Sequence, residues 1–298
     1  MNTSLKNNLT IVAGANGFTG RFVCKELKKL EIPFTALVRP GSDISWLNEQ
    51  SISIRYGDLD DYETLITVFK GCNSLINIAS IGFGNAPKII KVCQKLKIKR
   101  VIFISTTSIF TKLKTSSKSV RLEAENCIKN SGLDYTIIRP TMIFGTQGDR
   151  NIIRLIKWIN KYPIIPVFKK GDGLQQPVFV KDLAFIIASS LNNKKAIKQV
   201  FNIGGRYPIK FREMIGIISK ILDKKIFIIS INPILAIFFL RVLKKINLKL
   251  PVTEEQIKRV VEDKNFSNAK INKTFNFNPK SFEIVVKNEI KQYLKSIK

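Results

Sequence analysis

Leu9-Thr10-Ile11-Val12-Ala13-Gly14-Ala15-Asn16-Gly17-Phe18-Thr19-Gly20 is the stretch whose reading decides the fold. A short apolar run enters a turn with glycine at every third position. An amphipathic pattern follows, carried by Phe22, Val23, Leu27 and Leu30. The order is strand, glycine turn, helix. Glycine is needed where the backbone takes a positive φ and where it must approach a pyrophosphate closely. The helix start then offers free N–H groups and a positive dipole end to the phosphates. The spacing is G-x-x-G-x-x-G, not the commoner G-x-G-x-x-G. In this context Gly14, Asn16, Gly17, Phe18 and Gly20 read as a dinucleotide-binding turn; the plain alternative is a glycine-rich structural turn.

The alternation continues downstream. Strands are expected at 9–13, 34–38, 52–56, 75–79, 101–105 and 135–139, and helices near 18–30, 62–69, 86–96 and 119–130. Short apolar runs alternating with helices indicate a parallel sheet covered on both faces. Right-handed crossovers make this an α/β fold, a Rossmann-type doubly wound parallel sheet with its ligand at the strands' C-terminal ends. Residues 1–145 read as the NAD(P)-binding core. Residues 146–298 read as a small substrate lobe interleaved with the last core elements. In that half, helices are expected at 151–161, 180–192, 210–222, 233–246, 253–262 and 281–296, with a strand at 199–203.

Composition bounds the function. With 298 residues, 45% of them hydrophobic, the chain can bury a sizeable core. No apolar run reaches the roughly 20 residues of a spanning helix. Residues 1–6 lack a signal peptide's apolar segment, so the expected location is cytoplasmic. Cys24, Cys72, Cys93 and Cys127 are scattered and read as reduced core thiols. Histidine is absent, which removes His-based triads and argues against a His-ligated zinc site; no metal is expected.

The net charge of +28 attracts polyanions. The lysines are spread along the chain and no basic–aromatic recognition module is visible, so nucleic acid is not expected as a partner. Solvated basic faces are the first reading and peripheral contact with an anionic membrane the second. Residues 226–240 are unusually apolar, divided by Asn232-Pro233 into a strand and a helix start, with Arg241, Lys244 and Lys245 following. Such a helix can lie in a membrane interface, or serve as a lid or a buried packing helix.

Further cofactor signals follow the strands. Arg39 succeeds the second strand, where an acidic residue would accept from the ribose 2′-hydroxyl of NAD. A guanidinium there pairs instead with the 2′-phosphate of NADP, so NADP is the expected cofactor and NAD the alternative. Asp58 and Leu59 end the third strand, where a carboxylate can accept from the adenine amino group. Ala79 and Ser80 end the fourth, where small residues let the cofactor pass.

These residues together resemble the extended and atypical short-chain dehydrogenase/reductases, including the NAD-dependent epimerase/dehydratase group. The resemblance rests on the glycine turn, Gly57-Asp58-Leu59, Ile78-Ala79 and the block from Ser131 to Pro140. Phe144-Gly145, Gln176-Pro177-Val178-Phe179-Val180-Lys181-Asp182 and Phe201-Asn202-Ile203-Gly204-Gly205 match that group's lobe landmarks. The match covers about residues 9–205. The stretch 253–266 and Phe277-Asn278-Pro279 also look like the tail of these proteins, and of a relative that is an accessory subunit of respiratory complex I. The resemblance implies cofactor contacts at Ser105 and Pro140. It implies a substrate-oxygen contact from Thr106 or Thr107, after the fifth strand.

The resemblance also implies a Tyr-x-x-x-Lys pair on the helix before the sixth strand, where tyrosine moves the proton and lysine lowers its pKa. Here Ser117 stands at the tyrosine position and Arg121 at the lysine position, and no tyrosine lies between Tyr62 and Tyr135. Two readings follow. The chain is an oxidoreductase or epimerase with another proton route, through Thr107, Ser117, Lys118 or water, while Arg121, permanently cationic, can stabilise an oxyanion but cannot relay protons. Otherwise it is a non-catalytic dinucleotide-binding scaffold. The substrate pocket is expected from Thr141, Met142, Asn151, Arg154 and Gln176. Arg150, Arg154 and Lys157 are spaced to face a diphosphate together or to form an ordinary basic surface. A sugar-nucleotide or a lipid-linked sugar is the expected small-molecule substrate. The oligomeric state is left open.

Overall fold

The computed structural model describes residues 8–245 and 253–297. The stretch read as lacking a signal segment lies outside the described residues, as does residue 246 of the helix expected over 233–246. The first half runs β1 (Thr10–Ala13), α1 (Phe18–Lys29), β2 (Phe34–Val38), α2 (Ser45–Glu49), β3 (Ile54–Tyr56), α3 (Tyr62–Phe69), β4 (Ser74–Asn77), α4 (Ala86–Lys95), β5 (Arg100–Ile104), α5 (Ser116–Lys129) and β6 (Asp134–Pro140). The second half runs β7 (Ile143–Phe144), α6 (Ile152–Lys161), β8 (Ile164–Phe168), β9 (Leu174–Gln175), β10 (Val178–Phe179), α7 (Val180–Ser190), β11 (Gln199–Ile203), β12 (Ile209–Lys210) and α8 (Phe211–Leu222). It ends with β13 (Phe227–Ile231), α9 (Pro233–Lys245), α10 (Glu254–Val260), α11 (Ala269–Phe275) and α12 (Phe282–Ser296).

Seven strands form one sheet in the order β11-β6-β5-β4-β1-β2-β3. Every pairing in it is parallel. Successive side chains of a strand face opposite sides of its sheet. Val12 of β1 thus joins the core made with α1 and α7, through Val23, Leu27, Leu183 and Ile187. Its neighbours Ile11 and Ala13 join the core made with α3, α4 and α5, through Leu65, Ile89 and Ala124. That is why the central strands read as continuous apolar runs. Burial pushes the Cys24 and Cys93 thiols up to about 12, as unreactive core groups.

The chain leaves the core after β6, returns through α7 and β11, and leaves again. A third core joins α6, α8 and α12 through Ile156, Met214, Ile218 and Val286. Helix α5 begins at Ser116, ahead of the expected 119, because the Thr115 hydroxyl accepts from the Lys118 amide at 3.3 Å and caps it. The sequence pattern misses the two-residue strands of the lobe, which are too short for any period. It also misses α11, whose preceding Asn268 does not cap it but grips Gly204 and Gly205 instead. Residues 226–240 fall in β13 and α9, and Phe227, Ile228, Ile229, Ile234 and Leu235 among them are exposed rather than packed into a core. Among the described residues no helix is long and apolar enough to cross a membrane.

Candidate functional site

The glycine turn closes against the end of β4. Gly14 has φ +82°, and a Cβ on it would lie 2.8 Å from the Ala79 amide nitrogen. A Cβ on Gly20 would lie 2.0 Å from the Gly14 carbonyl oxygen, so the third glycine lets α1 pack onto the turn. Gly17 differs: it is exposed, and its nearest obstacle is the Gly14 oxygen at 3.3 Å. It is also the N-cap of α1 and has no side chain with which to satisfy the first amides of the helix. A side chain at Gly17 would enter the cavity it lines. That cavity measures about 310 Å³ and is bounded by Gly14, Asn16, Gly17, Arg39, Asp58, Leu59 and Ala79, with Ser42, Phe83 and Asn85 completing it. Free helix-start amides, an Arg at the end of β2 and a carboxylate after β3 are a donor set that fits a dinucleotide's pyrophosphate and adenosine.

Some expected contacts are engaged elsewhere. The Asn16 side-chain amide donates to the Asp43 carbonyl and its oxygen accepts from Arg21 at 3.1 Å, so it braces the turn. The Phe18 ring packs edge-on against Phe22, centroids 5.7 Å apart, leaving only its backbone to the cradle. Ser80 caps the short turn after β4 by accepting from Gly82 at 3.2 Å.

A second cleft of about 590 Å³ opens after β5 and β6. Thr106, Thr107, Thr141, Met142 and Asn151 line it, as do Arg259 of α10 and Glu262, Lys264 and Phe266 from the segment after it. The Thr107 hydroxyl is buried and donates to the Pro140 carbonyl at 3.2 Å, leaving its lone pairs toward any ligand donor. Lys264 Nζ donates to the Arg259 carbonyl at 3.1 Å and to Gln175 Oε1 at 3.2 Å. Burial holds the Lys264 ammonium below the usual lysine range and Arg259 adds to this; Glu262 and Asp263 oppose it. Arg259 pairs with Glu255 at 2.7 Å, yet its buried Nε has no partner.

Arg121 lies one turn along α5 from Ser117 and donates to its carbonyl at 2.9 Å. Its guanidinium packs on the loop after β4, where a Cβ on Gly82 would lie 3.0 Å from Cζ. Burial and the neighbouring Arg259 charge lower its pKa. Lys118 turns away: its Nζ donates to the Thr111 carbonyl at 2.6 Å, and it lines no part of the cleft.

Beneath the cleft, the Ser105 hydroxyl donates to Glu125 Oε1 at 2.7 Å. Arg139 grips the same carboxylate with two hydrogen bonds, one of them Nε to Oε1 at 2.8 Å, and its guanidinium lies 5.2 Å from the Phe110 ring centre. Ser105 is therefore part of a buried ionic cluster that fixes the floor of the cleft. Thr141, which lines the cleft, donates to the Gln176 carbonyl, and Gln176 holds Gly205 and Phe266, so Gln176 braces the backbone outside the cleft lining. Arg154 and Lys157 are exposed on α6 and, with Arg150, stand outside the cleft lining.

Sequence reasoning missed Arg259, Glu262, Lys264 and the Glu125–Arg139 pair. Only the Glu262-Asp263-Lys264 charge cluster after α10 marked the first three. Another cavity, about 660 Å³, lies between α1, α7 and α12 and is rich in lysine; it includes no residue of the glycine turn or of the ends of β4 and β5.

Comparison with known proteins agrees with this geometry. Residues 14–157 match a family described as NAD(P)H-binding. An Arabidopsis thaliana mitochondrial NADH dehydrogenase [ubiquinone] 1 alpha subcomplex subunit 9 is 23% identical over 223 residues, 68% of this chain and 55% of its own length. This chain thus spans little more than half of that relative. The structure of a Thermotoga maritima UDP-glucose 4-epimerase with UDP-glucose superposes with a TM-score of 0.76 at 14% identity, covering 97% of this chain and all of the other. An Escherichia coli NADPH-dependent quinone oxidoreductase gives 0.75 at 17% identity, covering 96% of this chain and 99% of that one. At such identities the structural likeness is one of fold.

Proposed function

We propose that this chain, which has an NAD(P)H-binding match over residues 14–157 and the fold of the epimerases, is an atypical short-chain dehydrogenase/reductase: an NADP-preferring oxidoreductase or epimerase acting on a carbonyl or hydroxyl of an anionic substrate such as a sugar-nucleotide or a lipid-linked sugar. The observation that carries this reading is the unpartnered, buried Arg259 Nε beside Lys264 and Thr107, in a cleft one strand away from the dinucleotide cradle. A buried N–H without a partner costs about 1–3 kcal/mol, and a polar ligand group would remove that cost.

A bound NADPH would supply the hydride. The chain's own residues would do the rest. Arg259 and Lys169 attract the anionic part of the substrate to the cleft. Arg121, close enough to Arg259 for their charges to interact, adds to the positive potential on that side of the cleft. Lys264 replaces the missing tyrosine as the proton source. Its lowered pKa brings proton exchange closer to neutral pH than an ordinary lysine allows. Thr107 orients the substrate by accepting from a hydroxyl. Lys118 and Ser117 have no part in this scheme.

The test measures NADPH oxidation and epimer formation across nucleotide sugars and quinones, with NADPH binding followed separately. Turnover is expected, and Lys264→Met is expected to lower kcat on the order of 10²–10³-fold with NADPH affinity unchanged. Lys264→Arg, which keeps the charge but cannot release a proton, should be as slow as Lys264→Met. Tight NADPH binding without turnover of any substrate would overturn the enzyme reading. A scaffold role would then hold, as the absent tyrosine and the accessory-subunit relative suggest.

A further inference from the structure

β13 and α9 carry the most apolar stretch of the chain, and the fold does not bury it. Phe227, Ile228 and Ile229 are 69%, 41% and 50% exposed, and Ile234 and Leu235 are 76% and 56% exposed. An ordinary strand turns alternate side chains inward. Here residues 227–230 are all exposed, and β13 pairs on one side only, with β8. Ile164, the β8 residue in register with Phe227, is itself 46% exposed. At the border the rings of Trp158 and Tyr162 lie 4.8 Å apart, each nearly half exposed, and Trp158 Nε1 donates to the Ile164 carbonyl at 3.0 Å.

The two stretches that form this face are basic, with Asp223 at their border and Glu254 paired to Arg241. Residues 224–245 hold five Lys or Arg and no carboxylate, and residues 157–170 hold four lysines and none. We propose that this face docks on an anionic phospholipid surface. Phe227, Ile229, Ile234 and Leu235 enter the headgroup–acyl boundary, and Lys161, Lys169, Lys170, Lys224 and Lys225 meet the lipid phosphates. Exposed apolar side chains beside amphipathic rings and a basic rim match, layer for layer, hydrocarbon beneath anionic headgroups. A second copy of the chain would bring the same cations against each other. α9, at 13 residues, is short enough to lie in the interface and too short to span it.

The docked face is tied to the cleft. The Lys170 amide donates to Ser230 Oγ of β13 at 3.1 Å, and Lys169 lines the cleft. Arg241 of α9 grips Glu254 of α10 with bonds of 2.7 and 3.0 Å, and α10 carries Arg259. A lipid-linked substrate would therefore meet the cleft beside the membrane. That last clause rests on the enzyme reading; the docking does not.

The experiment co-sediments the full chain with phosphatidylcholine vesicles and with vesicles containing roughly 30% phosphatidylglycerol, at about 50 mM and about 500 mM salt. The comparison is Phe227→Glu with Ile234→Glu; both positions are exposed, and unchanged NADPH binding confirms the variant's fold. Binding at least about tenfold tighter to the anionic vesicles is expected, falling at least about tenfold in the double variant at both salt levels. No binding to anionic vesicles would overturn the proposal. So would binding that the double variant retains at low salt, which would be a diffuse charge effect. A vesicle-free dimer of the parent that the double variant abolishes would make the face an interface between copies instead.

Discussion

Thr111 donates its hydroxyl to Glu262 at 2.6 Å across 151 residues of sequence, and the Lys112 amide donates to the other oxygen of the same carboxylate at 2.9 Å. This clasp ties the segment after α10 to the loop after β5 and so closes one wall of the cleft. Glu262→Ala removes both bonds. The expected loss is about 1–3 kcal/mol of stability. Limited proteolysis should cut between residues 253 and 266 faster in the variant, while NADPH affinity stays within error. A variant that loses NADPH binding instead would show that the clasp supports the cradle.

Arg39 borders the cradle where the ribose 2′ group is expected. Calorimetry should give NADPH the tighter binding over NADH. Arg39→Ala should remove about 1.5–3 kcal/mol from NADPH alone. Equal affinities in the parent protein would reverse the assignment to NAD.

The glycines of the turn separate binding from folding. Gly17→Val puts a side chain into the cradle with one tight contact, 3.3 Å to the Gly14 carbonyl oxygen, and should abolish dinucleotide binding with only a small fall in Tm. Gly20→Val drives its Cβ into the Gly14 carbonyl and should destabilise the whole core by several kcal/mol, read as a lower urea midpoint. Equal loss of stability in both, or loss in neither, would contradict this division.

Glu289 of α12 is fully buried against Asp149, and neither of its carboxyl oxygens nor Asp149 Oδ2 has a well-formed hydrogen bond. Burial pushes its pKa up to about 10; Asp149 adds to this and the nearby Gly145 amide opposes it. The folded state therefore holds this proton at pH values where the unfolded chain, with an ordinary carboxyl near 4.5, has lost it. Stability from this group is complete below the unfolded pKa and is lost as pH rises toward about 10. Glu289→Gln keeps the shape without the proton. It should raise stability at about pH 8 on the order of 1–3 kcal/mol and flatten the fall of Tm between about pH 5 and pH 9. An unchanged pH slope would mean that Glu289 ionises normally.

The sequence by itself determined the sheet. Each central strand is buried on both faces, so its apolar run is a local record of its place. The glycine turn is local at Gly20, where a Cβ would collide with Gly14 and Ala15, whereas Gly14 needs glycine because Ala79, after β4, closes on it. Gly14, Gly17, Arg39 and Asp58 follow successive strands, and parallel topology alone gathers strand ends at one edge. Only the tertiary structure decided the cleft. Arg259 ends α10, and Glu262 and Lys264 come from the irregular segment after it, which has no period to betray it. They meet Thr107 because the chain returns over the sheet after α10. It also decided which hydroxyls and amides are already engaged: Gln176 and Ser105 look like ligand contacts in sequence, yet hold backbone or a buried carboxylate in the fold. Exposure of β13 and α9 was likewise beyond the sequence. An apolar run records the wish to leave water, and only the packed fold shows whether protein is there to receive it.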